Sequence, residues 1–201
     1  MTRDDSGSVA VPRHREGVAT VGRAQQADIT TLRIDALNHA LRGLPEERTR
    51  YRARIELGGR DTKEVMAALK PWLAKCDNNG PNSQHDLMEA LWLHQSHNVV
   101  DEPLLKRMLR SPDFHARAAA TRVLCYWRDG IQDPLSLLKV QANDEHPRVR
   151  LEAIRACSFF TTAQATEVAL EVLTHPMDKY LKYTLDETMN TLDRFTKQAR
   201  D

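Results

Sequence analysis

Cysteine is scarce in this chain: three among 201 residues, at Cys76, Cys125 and Cys157. An odd number at wide spacing makes no C-x-x-C, which excludes a zinc knuckle and c-type haem attachment. Charge of one sign is equally lacking. Lys plus Arg number 29 and Asp plus Glu 28, a formal net charge of +1, so the overall balance announces no polyanionic partner. No apolar run reaches membrane-spanning length, and the N-terminal MTRDDSGSVAVPRHREG lacks the continuous apolar segment of a signal peptide. Strand signals are missing too. There is no sustained alternation of β-branched residues, and Asp129-Gly130 joins helical patterns. No G-x-S-x-G, H-E-x-x-H, G-x-G-x-x-G or Walker sequence occurs. Ser136-x-x-Lys139 matches the first element of a serine acyl-transfer site, but no S-D-N or K-T-G accompanies it, and it reads as coincidence.

What is present is a helical pattern. AVILMFWYC residues make up 41% and charged residues 28%, a balance that fits a folded, soluble chain rather than a disordered one. Residues 1–27 show no sustained period and read as a flexible tail. Ile29, Leu32, Ala36, Leu37, Ala40 and Leu41 then recur at helical spacing, closed by Gly43 and Pro45. A second helix is expected over 45–57, with Leu44, Tyr51 and Ile55 as its apolar side. Asp61 with Glu64 resembles a capping box opening a helix over 62–75, and CDNNGPNSQ (76–84) reads as a loop. Further helices are expected from Gln84 to His97, from Asp101-Glu102-Pro103, from Ser111-Pro112-Asp113 to Trp127, and from Asp133-Pro134.

The pattern repeats. Ala116, Ala120, Val123 and Trp127 are reproduced 33 residues later by Val149, Ala153, Ala156 and Phe160. Leu181, Leu185, Thr188 and Leu192 follow 32 residues after that. Arg117 aligns with Arg150 and Arg122 with Arg155. A period in the low thirties built of two antiparallel helices predicts an all-α solenoid of about four to five helix pairs. Its expected parts are a tail over 1–27, an N-terminal helical pair over 28–60, repeats over 61–195 and a C-terminal tail over 196–201.

The segment NDEHPRVRLEAIRA (143–156) resembles the second helix of a HEAT repeat, through Asp144, Pro147, Val149, Arg150 and Ala153. SPDFHARAAATRVL (111–124) keeps the Arg and Ala but has Phe114 in place of the proline. HPMDKYLKYTLDETMNTL (175–192) is more degenerate, with no arginine and with Tyr180 and Tyr183 beside the core positions. The resemblance implies a HEAT/armadillo-like fold in which Asp144, Arg150 and Arg117 form a polar ladder between repeats. Over about 44–193 the runs YRARIELGGRD, EALWLHQSHNVVDEPLLKRMLRSPD, VLCYWRDG and YLKYTLDET resemble the helical-repeat region of large bacterial haem-binding, membrane-bound-dehydrogenase-type (sorbosone dehydrogenase-like) proteins. That resemblance implies a scaffold without the family's propeller or cytochrome segment. It transfers no cofactor, because no residue matches a haem or quinone motif. The resembled family is exported, whereas no signal peptide is visible, so the compartment is left open.

Candidate sites are few. Arg48, Arg50, Arg52 and Arg54 form an alternating basic run. With Lys106, Arg107, Arg110, Arg117, Arg122 and Arg128 they are candidates for a concave surface facing phosphates. His85, His94 and His97 with Asp86 and Glu89 are the nearest approach to a metal cluster, against the alternative that they border a core of Leu87, Leu91 and Trp92. Cys125, Cys157 and Trp127 read as core residues. The expectation is a non-catalytic interaction scaffold with no cofactor and no metal, contacting another protein or other domains of a parent chain. Its candidate interaction residues are Arg117, Arg150, Asp144, Arg122, Arg155, Arg48 and Arg52. The rival readings are a nucleic-acid-binding protein of the HEAT-type DNA glycosylase kind, a phycobilisome-lyase-like tetrapyrrole chaperone, and a transition-metal sensor.

Overall fold

The computed structural model describes residues 47–74 and 83–198. Nine α-helices lie among these described residues. They are α1 (Glu47–Gly58), α2 (Thr62–Ala74), α3 (Ser83–Ser96), α4 (Glu102–Met108), α5 (Phe114–Trp127), α6 (Pro134–Ala142), α7 (Pro147–Cys157), α8 (Ala163–Leu170) and α9 (Lys179–Gln198). Single 3-10 turns at Arg128–Gly130 and Glu171–Thr174 follow α5 and α8. No strand occurs among the described residues. The expected tail over 1–27, the helix from Ile29, Leu44 and Cys76 lie outside them.

Side-chain caps place most helix starts. Asp61 accepts from the backbone N–H groups of Lys63 and Glu64, at 3.0 and 3.1 Å. Asp101 caps α4 through Leu104, Asp113 caps α5 through His115, and Asp178 caps α9 through Tyr180 and Leu181. His146 takes the same place before α7, its ring nitrogen accepting from the Arg148 N–H. Pro103, Pro134 and Pro147 occupy first-turn positions, where a missing N–H costs nothing.

The helices stack in two layers. The odd-numbered helices form one, with α1 on α3, α3 on α5, α5 on α7 and α7 on α9. In the other layer α2 packs on α3, α4 on both α3 and α5, α6 on α7, and α8 on α6, α7 and α9. The result is an all-α solenoid of four antiparallel pairs, α2/α3, α4/α5, α6/α7 and α8/α9, with α1 laid against α3. Between the layers lies one continuous apolar cluster that includes Leu91, Leu93, Leu105, Leu124, Leu138, Ile154 and Leu181. Ala120 and Ala153 are wholly buried between α5 and α7, where the absence of a larger side chain lets the two backbones approach.

α1 presents a different face from the one expected. Tyr51 and Ile55 are 55% and 58% exposed, while Ala53 and Leu57 are wholly buried. The small Ala53 permits close packing on α3, and the rotation turns Arg54 towards partners on α3, described below. At the far end, the exposed positions of α9 include Lys182, Asp186, Glu187, Asp193 and Arg194. Tyr180 and Tyr183 are also exposed on α9, at 62% and 68%, so its outer surface is mixed in character.

Candidate interaction surface

Arg117, near the start of α5, points into the turn that precedes α7. Its Nε and Nη2 donate to the two carboxylate oxygens of Asp144 at 2.7 and 3.0 Å, and Nη2 also reaches Glu145 at 3.0 Å. Nη1 donates back to the Ser111 carbonyl at 2.9 Å. The Asp144 hydrogen bonds raise the Arg117 pKa above the ordinary arginine value, so the pair is ionic. Arg150, one repeat later, repeats the bonds to carbonyls but not the one to a carboxylate. Its Nη1 bonds the carbonyls of Asp144 and Glu145, and its Nη2 reaches the Pro176 carbonyl at 3.3 Å. Both arginines are buried. Arg117, Asp144 and Arg150 thus join successive repeats and do not lie on an exposed face.

Other polar contacts follow the same rhythm. Ser111 donates to Gln84 at 2.6 Å, Gln141 to the Leu109 carbonyl at 3.3 Å, and Thr188 to the Ile154 carbonyl at 3.3 Å. Each links one repeat to the next.

The exposed face of the odd layer is different in kind. On α7 the Glu152 carboxylate is almost wholly buried and takes guanidinium groups from three directions. Arg122 of α5 approaches to 2.6 Å, Arg148 to 3.2 Å and Arg155 to 3.8 Å. The hydrogen bonds that Arg122 donates to Glu152 push the Arg122 pKa above its ordinary value. Arg155 and Arg128 both stand over the half-exposed ring of Phe159, at 5.5 and 5.6 Å from its centroid. Beside this cluster a groove of about 230 Å³ runs between α3, α5 and α7, floored by Trp92, Ala118, Ala119 and Val123. Tyr126, one turn beyond Arg122, is 57% exposed.

A second arginine–carboxylate pair lies at the other end of the layer. Arg54 donates to the buried Glu89 at 2.7 Å and lies 4.5 Å above the Trp92 ring. A wider depression of about 440 Å³ adjoins it, lined by Arg48, Tyr51, Arg54 and His85 among others. Arg48 and Arg52 are exposed on α1.

The single basic surface expected from the sequence is therefore divided. Lys106 and Arg107 belong to α4 in the other layer, where Lys106 pairs with Glu102 at 2.7 Å. Arg117 is buried, and Arg122 is tied to Glu152. The histidines are divided as well. His97 contacts Thr62 and the Leu57 carbonyl, at 3.1 and 3.0 Å. His94 contacts the Val99 carbonyl at 3.2 Å and lies 3.6 Å from Asp101. His85 lies 3.3 Å from Glu89 without a hydrogen bond at that ring nitrogen. Among the described residues no three His, Cys, Asp or Glu side chains form a group able to hold a metal.

Two other features bear on chemistry. Lys139, the partner in the Ser136-x-x-Lys139 match, is held by Glu171 at 2.8 Å. That hydrogen bond raises its pKa, the opposite of what a general base requires. Burial raises the Cys125 thiol and pushes Cys157 up to about 12, which leaves both thiols protonated at neutral pH. No described helix is long and apolar enough to cross a membrane.

Residues 102–189, from the start of α4 into α9, match the family model for HEAT repeats. This segment is similar to HEAT repeats. The match spans the helix pairs joined by Arg117 and Arg150, so their ladder lies within the HEAT-like segment. No protein of curated function matches the chain. Glu152 and Arg148 were not evident as site residues in the HEAT sequence pattern. The available signal was the spacing Arg148, Glu152, Arg155, which sets all three on one helical face.

Proposed function

We propose that this protein is a non-catalytic HEAT-repeat scaffold whose odd-layer face binds another protein or another domain of a larger chain. HEAT repeats are commonly protein-interaction scaffolds, and stacked helix pairs offer extended binding surfaces. The observation that carries the reading is the series of exposed Tyr51, Arg122, Tyr126 and Phe159 with half-buried Arg54, Trp92 and Arg155 between them, along α1, α3, α5 and α7. Tyrosine, tryptophan and arginine are the residue types that dominate binding energy at protein interfaces. Arg48, Arg52, Arg122 and Arg155 are the arginines assigned to contact. Arg117, Asp144 and Arg150 are assigned to keeping the repeats in register.

The resemblance over about 44–193 narrows the reading to the scaffold portion of a bacterial dehydrogenase- or cytochrome-type assembly. The test uses the full chain as bait in native lysate beside two variants of preserved helicity. One is Tyr126→Ala with Phe159→Ala on the odd layer, and the other is Val140→Ala with Leu173→Ala on the even layer. The expected result is one stoichiometric protein kept by the even-layer variant and lost by the odd-layer one. A dehydrogenase or cytochrome component in that place supports the narrower reading. Recovery of nucleic acid alone, or equal recovery by both variants, defeats the proposal.

A further inference from the structure

We propose that the groove between α3, α5 and α7 binds an acidic peptide segment, seating a carboxylate against Arg122 and Arg148 and an adjoining apolar side chain on the Trp92–Ala118–Ala119 floor. The inference rests on the scaffold reading and names the chemistry of its partner.

The first support is the charge at Glu152. Arg122, Arg148 and Arg155 converge on this one carboxylate at 2.6, 3.2 and 3.8 Å, three cations against one anion. Arg122 and Arg148 remain 49% and 53% exposed, so the unbalanced positive charge faces the groove. Glu152 itself is 2% exposed and serves as an anchor. It fixes the guanidinium planes before any ligand arrives, which lowers the conformational cost of binding. The Nε and Nη2 of Arg122 are taken up by Glu152, so a second carboxylate approaching from the groove meets the remaining N–H groups of two guanidinium planes already held in place.

The second support is the floor. Trp92 is half-buried and its ring is held by Arg54, while Ala118 and Ala119 contribute methyl groups and nothing that competes for a hydrogen bond. A space of about 230 Å³ suits side chains rather than a stacked base with its sugar and phosphate. The cationic stripe also ends here. By the repeat spacing, Glu187 takes on α9 the position of Arg122 on α5 and Arg155 on α7. A polyphosphate following the odd layer would run into like charge, whereas a short acidic peptide would not.

The test is fluorescence anisotropy with the full chain at low and raised salt. The probes are a fluorescein-labelled peptide EEELEEE, its glutamine counterpart QQQLQQQ, and a labelled thymidine oligonucleotide. Two variants accompany the parent, each checked by circular dichroism. The first is Arg122→Gln with Arg148→Gln. The second, Ala119→Glu, places a carboxylate on the groove floor and keeps every residue of the Glu152 cluster. The expected result is binding of the acidic peptide, loss of about tenfold or more in both variants, and little affinity for the glutamine peptide. No binding of EEELEEE, unchanged binding in either variant, or tighter binding of the oligonucleotide overturns the proposal. A lysate partner lost with Tyr126→Ala and Phe159→Ala but held by both groove variants would leave the scaffold reading standing and remove this one.

Discussion

Arg117 and Asp144 meet as a forked ion pair in which each side chain is only 10% exposed. Removing one member of such a pair strands the other charge away from water. Asp144 also accepts from the His146 N–H at 2.8 Å, so its loss loosens the turn that starts α7. Asp144→Ala is expected to cost about 3 kcal/mol in urea unfolding, at the lower end for a broken buried pair because Glu145 and the Ser111 carbonyl remain. A loss below about 1 kcal/mol would mean that the pair behaves as a surface salt bridge. This pair was legible in the sequence, since Arg117, Asp144 and Arg150 follow the repeat spacing and the HEAT-like pattern. Glu152 was not. Its burial depends on Arg122, thirty residues earlier in the chain, and a carboxylate between two arginines on one helix reads equally well as a solvated face.

Among the helices, the clearest local device is the start of α6. Asp133 is in the left-handed region, φ 53°, and its side chain accepts from the Ser136 N–H at 3.3 Å. Two requirements compete there. The cap favours a short acceptor, and the backbone conformation favours Gly, Asn or Asp over other residues. Asp133→Ala loses both and is expected to cost about 2 kcal/mol, whereas Asp133→Gly loses only the cap and should cost a few tenths. Thermal unfolding of the two variants checks the order, and equal costs would place the whole effect in the cap. Helix boundaries were generally readable from such signals, because starts such as Asp133-Pro134 and Asp101-Glu102-Pro103 act within one turn of the chain. The face of α1 was not, since Tyr51 and Ile55 make as regular a stripe as Ala53 and Leu57. What decided between them was Arg54 finding Glu89 and the Trp92 ring on α3, partners that no local period reveals.

For the whole molecule, packing runs from each repeat to the next and not across the array. α7 lies at the centre of this arrangement, touching α5, α6, α8 and α9, while α1 packs mainly on α3. Elements with neighbours on both sides should open least often. Hydrogen exchange is therefore expected to be slowest in α5 and α7 and to quicken towards α1 and towards the last turns of α9, read by mass spectrometry of peptides from each helix. Uniform protection would show that the described residues unfold as one unit. The alternation of layers was readable from the period, but the division of the basic residues between them was not, because a run such as Lys106-Arg107-Arg110 carries no mark of which layer its helix joins. The same neighbour-to-neighbour packing bears on how the protein is made. The inter-repeat hydrogen bonds from Ser111, Arg117 and Gln141 join residues 27 to 32 positions apart, so each contact has its partner soon after its own residues leave the ribosome. The α2–α5 portion can therefore close its core while the codons for α8 and α9 are still being read, and synthesis itself can set the order of folding.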